Sequence, residues 1–226
     1  MIERLLWDSD FFNFEIGKIH VKSSDILFSE NFITTSLKYK LIYIFSSVEL
    51  IEESFKLVDI KVVFEKKIEQ NESNIFKDVY CINEINDELE ELVYLSGTFS
   101  RFYLDPNFSI TAFRRLYSTW ITNSLNDSIK SKVFVKFIDS KIVGFVSVRI
   151  KGSKGIIELI SVNNEYQGLN IGSELILAAE MFCLNNKINK IEVATQFENK
   201  KAIVFYNKNH FKSVSTTFIY HKWINS

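Results

Sequence analysis

The sequence predicts an α/β protein with helices layered on a mixed, mostly antiparallel twisted sheet, organised as two consecutive units. Short apolar runs of strand type alternate with amphipathic helical runs along the whole chain. A polar stretch, "EQNESNIFKD", separates a first β-α-β-α-β group from a second that reads β-α-α-β-β-β-α-β-α-β. Apolar residues reach 46% against 24% charged, so each group can bury a core. The expected units are residues 1–75 and 76–226, the first a shortened version of the second.

Each element has its own signal. "FEIGKIHV" reads as a strand, and "SSDILFSENFITTSLK" as a helix opened by Ser or Asp. "KLIYIFSS" is a strand, "VELIEESFK" a short helix and "LVDIKVVFEKKI" a strand. After the linker near 68–77, "VYCIN" is a strand and "NDELEELVYLSG" a helix whose acidic first turn suits the helix dipole. "SRFYLDPNFS" holds the only proline and reads as irregular; "SITAFRRLYSTWITNSL" is a long amphipathic helix. "KVFVKFID" and "KIVGFVSVRI" form a hairpin around Ser140–Lys141, and "GIIELISV" is a buried strand. "LNIGSELILAAEMFCLNN" is a helix with Ile171, Leu175, Ala178, Ala179 and Phe182 at helical spacing. "INKIEVAT" is a strand, "NKKAIVFYNKN" a helix and "FKSVSTTFIYHKW" a last strand or strand pair.

Composition removes several function classes. A formal net charge of −1 argues against a general nucleic-acid or membrane-surface binder. No run approaches the length of about 18 apolar residues that a membrane span needs, and no targeting segment is apparent, so a cytoplasmic protein is expected. Cys81 and Cys183 lie far apart in apolar runs and read as reduced core thiols. His20, His210 and His221 are scattered without ligand spacing, so no metal is expected.

The most informative stretch is "ELISVNNEYQGLNIGSELI". A buried strand ends near Val162, a polar turn follows, and a helix begins. The free N–H groups of such a helix start can hold an anion, and small residues let the backbone approach it. A plain connecting turn is the competing reading. "QGLNIG" resembles the acyl-CoA loop of the GNAT acetyltransferase superfamily, Q/R-x-x-G-x-G/A. Gln167 and Gly172 occupy its ends, and Asn170 stands where the family has glycine; Asn is the next best residue at positive φ. The resemblance implies that the backbone of Leu169, Asn170, Ile171, Gly172 and Ser173 binds the pyrophosphate of acetyl-CoA. It also implies that Ile160 and Val162 flank a groove for the pantetheine arm.

A second motif lies downstream. "NKKAIVFYNKNHF" is similar to the family's N-x-x-A-x-x-x-Y-x-x-x-G-F, matched by Asn199, Ala202, Tyr206 and Phe211, with His210 replacing the glycine. The implied roles are a hydrogen bond from Asn199 to the cofactor arm and general-acid protonation of the leaving thiolate by Tyr206. A phenol's reference pKa of about 10 suits that task. A half-buried tyrosine at a helix end is the plain alternative.

The acceptor must be an amine that loses a proton. Glu158 lies in the buried strand, on one face with Ile156, Ile160 and Val162 by period-two counting. A functional base and a salt-bridged strand residue are both open. The opening "LLWDSDFFNFEIG" resembles the W-x-x-x-F-F start of the superfamily's dTDP-fucosamine acetyltransferases, through Trp7, Phe11 and Phe12. "SRFYLDPNFS" with Arg101 and Phe102, and Tyr117 and Trp120 after it, resembles their middle. This likeness implies a dTDP-linked 4-amino sugar as substrate, bound by Trp7, Phe11, Phe12, Arg101 and Phe102, and places a remote base at Asp59. Simple core packing is the competing reading of each aromatic. Transfer is then direct, from acetyl-CoA to the amine, with a homodimer left open. Two alternatives stand beside it: a protein or small-amine N-acetyltransferase, and a catalytically silent acyl-CoA-binding module.

Overall fold

A computed structural model describes residues 1–23, 29–51, 53–69, 78–127 and 129–224. Its chain forms two compact units. The first is Met1–Val62 with Gln196–Glu198 and Ser215–Ser226; the second is Val63–Thr195 with Asn199–Val214. The division therefore differs from a single cut at residue 75. The strands Lys56–Lys67 (β4) and Lys212–Trp223 (β10) each begin in one unit and end in the other. The expected linker lies largely at 70–77, outside the described residues.

In the first unit, β1 (Glu3–Arg4), β2 (Ile16–Val21), β3 (Leu41–Ser46), β10 and β4 follow one another in the sheet. β2 and β3 run parallel; β1 with β2 and β3 with β10 run antiparallel. Alternate residues of these strands, including Ile19, Ile42, Ile44 and Tyr220, pack with Phe32, Leu50 and Phe55 into one core. Helix α1 (Leu6–Phe12) ends at Asn13, which takes the left-handed conformation that Asn tolerates. Helix α2 (Glu30–Ser36) is capped by the Ser29 side chain at the Phe32 N–H, 3.2 Å away. It is shorter than the helix expected from residue 23, whose stretch 24–28 lies outside the described residues. The helix expected over "VELIEESFK" is absent among the described residues. Leu50 and Phe55 are buried there, and the Leu50 N–H donates to the Tyr220 hydroxyl at 2.6 Å. A tertiary hydrogen bond thus replaces the local one that a helix would offer.

In the second unit the sheet order is β4, β9 (Lys190–Gln196), β8 (Lys154–Val162), β7 (Lys141–Lys151), β6 (Ser131–Ile138) and β5 (Val79–Ile82). Pairs from β5 to β8 are antiparallel, and β8–β9 is parallel. The hairpin turn is Asp139–Ser140, one residue earlier than expected, with φ of 49° and 64°. Helices α3 (Asp87–Ser96) and α5 (Ile110–Asn126) start at Asn86 and Ser109, whose side chains accept from Leu89 and Ala112 N–H groups. Between them "SRFYLDPNFS" contains a single-turn helix, α4 (Arg101–Leu104). Helix α6 (Ile171–Asn185) packs on the sheet through Ile171, Leu175, Ala178 and Ala179, all buried. Helix α7 (Lys200–Lys208) precedes β10. Cys183 is a buried free thiol as expected, whereas Cys81 is exposed, because β5 is an edge strand. No described helix is long and apolar enough to cross a membrane.

Candidate active site

The centre of the second unit is a parting of strands. β8 and β9 pair only over Gly155–Ile157 and Ile191–Val193, although β8 runs on to Val162. Beyond that point the half-buried Ile160 and Val162 border an open seam. The chain then makes a one-turn 3-10 helix, Asn164–Tyr166, and reaches α6 through Gln167–Asn170.

This loop is built to leave its amides free. Gly168 has φ of 86° and Asn170 φ of 63°, so both take the left-handed conformation foreseen at position 170. Asn170 caps α6 through its carbonyl, which accepts from Ser173 and Glu174 N–H groups. Among the described residues, the N–H groups of Gly168, Leu169, Asn170, Ile171 and Gly172 have no protein acceptor. Gln167 braces the loop by donating from Nε2 to Asn164 Oδ1, 2.9 Å away. Glu174, an acid in the first turn of α6, is ion-paired at 2.7 Å with the buried Lys136 of β6. A lone lysine inside the apolar run "VFVKFI" was the legible sign of this cation.

Gly172 has a second duty. A Cβ there would lie 2.9 Å from the Phe205 ring, so glycine permits α6 to sit against α7. Helix packing thus stands beside close approach to an anion as a reason for glycine at this position.

Asn199 is the N-cap of α7, one residue before the helix that was expected to begin with it. Its Oδ1 accepts from the Ala202 N–H at 3.1 Å, while its Nδ2 has no protein partner among the described residues. About two turns further on, Tyr206 is 4% exposed, with its ring among Phe64, Phe205 and Phe211. Burial pushes the phenol up beyond its ordinary range, so it stays protonated at neutral pH. Its hydroxyl has no protein hydrogen-bond partner among the described residues. His210 follows in the left-handed conformation at φ 65°, where the family pattern has glycine. We expect His210→Gly to stabilise the protein by about 1 kcal/mol by relieving that strain. An unchanged or lowered Tm would contradict it.

Glu158 departs from its expected face. The β7–β8 register passes from Ser147↔Leu159 to Val148↔Ile157, which leaves Glu158 as the extra residue of a β-bulge. Ser147 Oγ holds the bulge by accepting from the Leu159 N–H at 3.0 Å. The bulge breaks the period of two. Val162 lies opposite Gly144, whose added Cβ would meet Ile171 and Leu175 of α6. Glu158 instead reaches α5, where Ser124 Oγ donates to it at 2.8 Å. Its other oxygen accepts from Arg149 Nε at 2.8 Å, and Arg149 also pairs with Asp127. Glu158 is therefore salt-bridged. Arg149 and Asp127 were not singled out in the sequence, although an arginine ending "IVGFVSVRI" was a visible signal.

The remaining residues divide between the units. Asp59, Trp7, Phe11 and Phe12 belong to the first, and Arg101 and Phe102 to the second. Trp7 is 45% exposed and stacks on Phe11 at 5.0 Å, whereas Phe12 is buried. Phe102 is also buried, edge-on to Phe108 and Trp120. The Arg101 guanidinium lies 4.7 Å from that ring's centroid. Asp59 sits half-buried on β4. Among the described residues, no group of three or more His, Cys, Asp and Glu could hold a metal ion.

A sheet that opens beside a loop of free amides, with a protonated phenol on the next helix, places the protein among the acyltransferases. The chain belongs to the acetyltransferase (GNAT) family, whose model matches residues 97–211. The spore coat polysaccharide biosynthesis protein SpsD of Bacillus subtilis (strain 168) is 25% identical over 133 residues, 59% of this chain and 46% of that protein. The chain thus spans about half the length of that relative. Among solved structures, a conserved protein from Staphylococcus epidermidis ATCC 12228 aligns with a TM-score of 0.63 at 13% identity, covering 93% of this chain and 84% of the other. A GCN5-related N-acetyltransferase from Sphaerobacter thermophilus gives 0.58 at 12%, over 93% and 74%. The PaiA N-acetyltransferase of Thermoplasma acidophilum, solved in complex with coenzyme A, gives 0.50 at 22%, over 66% and 100%. These likenesses establish the fold.

Proposed function

We propose that this acetyltransferase moves the acetyl group of acetyl-CoA directly to the amino group of a nucleotide-linked amino sugar of the dTDP-4-amino-6-deoxyhexose type. The observation that carries the donor half is the run of unpaired amides from Gly168 to Gly172 at the start of α6, beside the parting of β8 and β9. Those amides suit a pyrophosphate, which accepts charge-assisted hydrogen bonds. The seam between Ile160, Val162 and β9 suits the pantetheine arm, whose amides can pair with exposed strand edges. The Asn199 Nδ2 is free to donate to that arm. Coenzyme A in the PaiA structure supports the same choice of donor.

The chemical step needs a neutral amine within about 3–3.5 Å of the thioester carbon. Attack forms the C–N bond, the C–S bond breaks, and the thiolate takes a proton. Tyr206, kept protonated by burial, supplies it. Cys183 does not relay the acetyl group, because burial and nearby Glu180 push its thiol up to about 12. The acceptor class rests on the polysaccharide-biosynthesis relative and on the dTDP-amino-sugar likeness of the opening and middle segments.

The assay compares acetyl transfer to dTDP-4-amino sugars, free amino sugars, polyamines and N-terminal peptides. The nucleotide sugar is expected to give the highest kcat/KM, and Arg101→Ala to raise its KM. Preference for peptides or polyamines would overturn the acceptor while leaving the family unaffected. Two carboxylates compete for the amine's proton. We expect Glu158→Gln to lower kcat roughly 10-fold, since the carboxylate orders the proton's path through a charged hydrogen bond. A kcat unchanged in Glu158→Gln but lowered in Asp59→Asn would transfer that role to Asp59.

A further inference from the structure

We infer that a cavity bordered by Trp120, Asn123, Ser124, Arg149, Glu158 and Leu159 holds the hexose ring of the acceptor, separately from its nucleotide diphosphate. The inference rests on the amino-sugar reading above and names the part of the substrate that the second unit reads.

The cavity's position follows from the bulge. Ile157 is the last residue of β8 paired with β9, and Glu158 is the next. The side chain of Glu158 turns toward α5, on the face of the sheet opposite α6. The cavity therefore borders the residue that follows the last β8–β9 pair, on the face of the sheet away from α6. An acceptor seated here approaches the thioester from the side that the cofactor loop leaves open.

Size and charge select the occupant. The volume is about 220 Å³. That is below the roughly 300–1,000 Å³ of pockets that enclose a drug-sized ligand, so one pyranose ring suits it better than a whole nucleotide sugar. The cation present, Arg149, is already paired with Glu158 and with Asp127. Two carboxylates against one guanidinium leave no surplus positive charge for a diphosphate. They do suit an amine and hydroxyl groups. Glu158 can accept, the exposed Asn123 amide can donate and accept, and the remaining Arg149 N–H groups have no protein acceptor among the described residues. The Trp120 ring, braced by Tyr117 at 4.9 Å and Phe102 at 5.8 Å, offers a rigid apolar face for the ring's C–H groups. The buried Ser124 hydroxyl fixes the Glu158 carboxylate at 2.8 Å, so the polar groups are set before the ligand arrives.

The test uses the full chain and three probes: a dTDP-4-amino-4,6-dideoxyhexose, the same amino sugar free, and dTDP alone. Asn123→Ala, at an exposed position that the fold tolerates, should raise KM for the nucleotide sugar about 3- to 10-fold. Calorimetry should show the same factor lost for the free sugar and none for dTDP. Trp120→Phe should act in the same direction with a smaller loss, and its melting curve will show whether packing is kept. Equal losses for sugar and nucleotide sugar, with dTDP and acetyl-CoA unaffected, support the cavity. Unchanged KM in folded Asn123→Ala and Trp120→Phe, with the nucleotide sugar still acetylated, overturns the cavity alone. Loss of dTDP affinity with the sugar unaffected also overturns it. If neither sugar is bound or acetylated, the amino-sugar reading fails and takes the cavity with it.

Discussion

Replacing Tyr206 with Phe should lower kcat by roughly 100- to 10,000-fold, the range that general acid–base catalysis contributes. Acetyl-CoA affinity and Tm should stay near the wild-type values. The separation of effects follows from how the ring is held. Phe64, Phe205 and Phe211 contact the aromatic body at centroid distances of 5.6, 5.3 and 5.8 Å, and a phenylalanine keeps all three. The hydroxyl has no protein partner among the described residues, so its removal leaves no buried group unsatisfied. What is lost is the proton for the leaving thiolate. The pH dependence has a definite sign. Burial raises the phenol above its ordinary value of 10, so it stays protonated across the neutral range. Tyr206 should therefore contribute no falling basic limb to kcat below about pH 10. Its contribution to stability is full below that pH and is lost as the pH rises beyond it. Single-turnover kinetics with a saturating amine make the decisive measurement. Wild-type kcat in the Phe variant would remove Tyr206 from the mechanism.

The cofactor loop was legible in the sequence because its requirements are local. A left-handed residue before a helix needs Gly or Asn, and Gly168 and Asn170 supply those φ values. His210 was legible in the same way, as a non-glycine in a position whose φ is set by the end of a helix. Asn199 was placed on the wrong side of a helix boundary. An amide three residues before an alanine reads equally as a helical face position and as an N-cap, and the capping bond to Ala202 decides it.

Non-local features were hidden. Counting by twos along β8 assumes unbroken pairing, and one extra residue at Glu158 reverses the faces beyond it. The partners of Glu158 come from α5 and from β7, which no spacing rule connects to it. The helix foreseen over "VELIEESFK" failed for a related reason. Its apolar residues are drawn into a sheet-face core and its Leu50 amide is taken by Tyr220 from the far end of the chain. Cys81 had the composition of a core residue and the position of an edge-strand residue, and strand order is not written locally.

Gly172→Val should weaken acetyl-CoA binding at least about 100-fold and also lower stability by about 1–3 kcal/mol, the usual cost of overpacking. The two losses share a cause that lies outside the ligand. A Cβ at residue 172 would sit 2.9 Å from two Phe205 ring carbons, so α6 and α7 must separate or the ring must turn. Separation of the helices displaces the amides from Gly168 to Gly172, and each charge-assisted hydrogen bond to phosphate is worth roughly 1.5–3 kcal/mol. The ring belongs to the residue before Tyr206, so kcat should fall as well. A compensating variant separates packing from ligand contact. In Gly172→Val with Phe205→Leu, the smaller side chain opens the space that the added methyl groups require. Tm should then recover most of its loss. If acetyl-CoA affinity, measured by calorimetry, recovers with it, glycine at 172 is there for the helix contact. Recovered stability with affinity still lost would favour the other reason, a backbone that must approach the phosphate without any Cβ in between. Wild-type affinity in the single variant, with Tm intact, would mean that the loop is a connecting turn and that the donor site lies elsewhere.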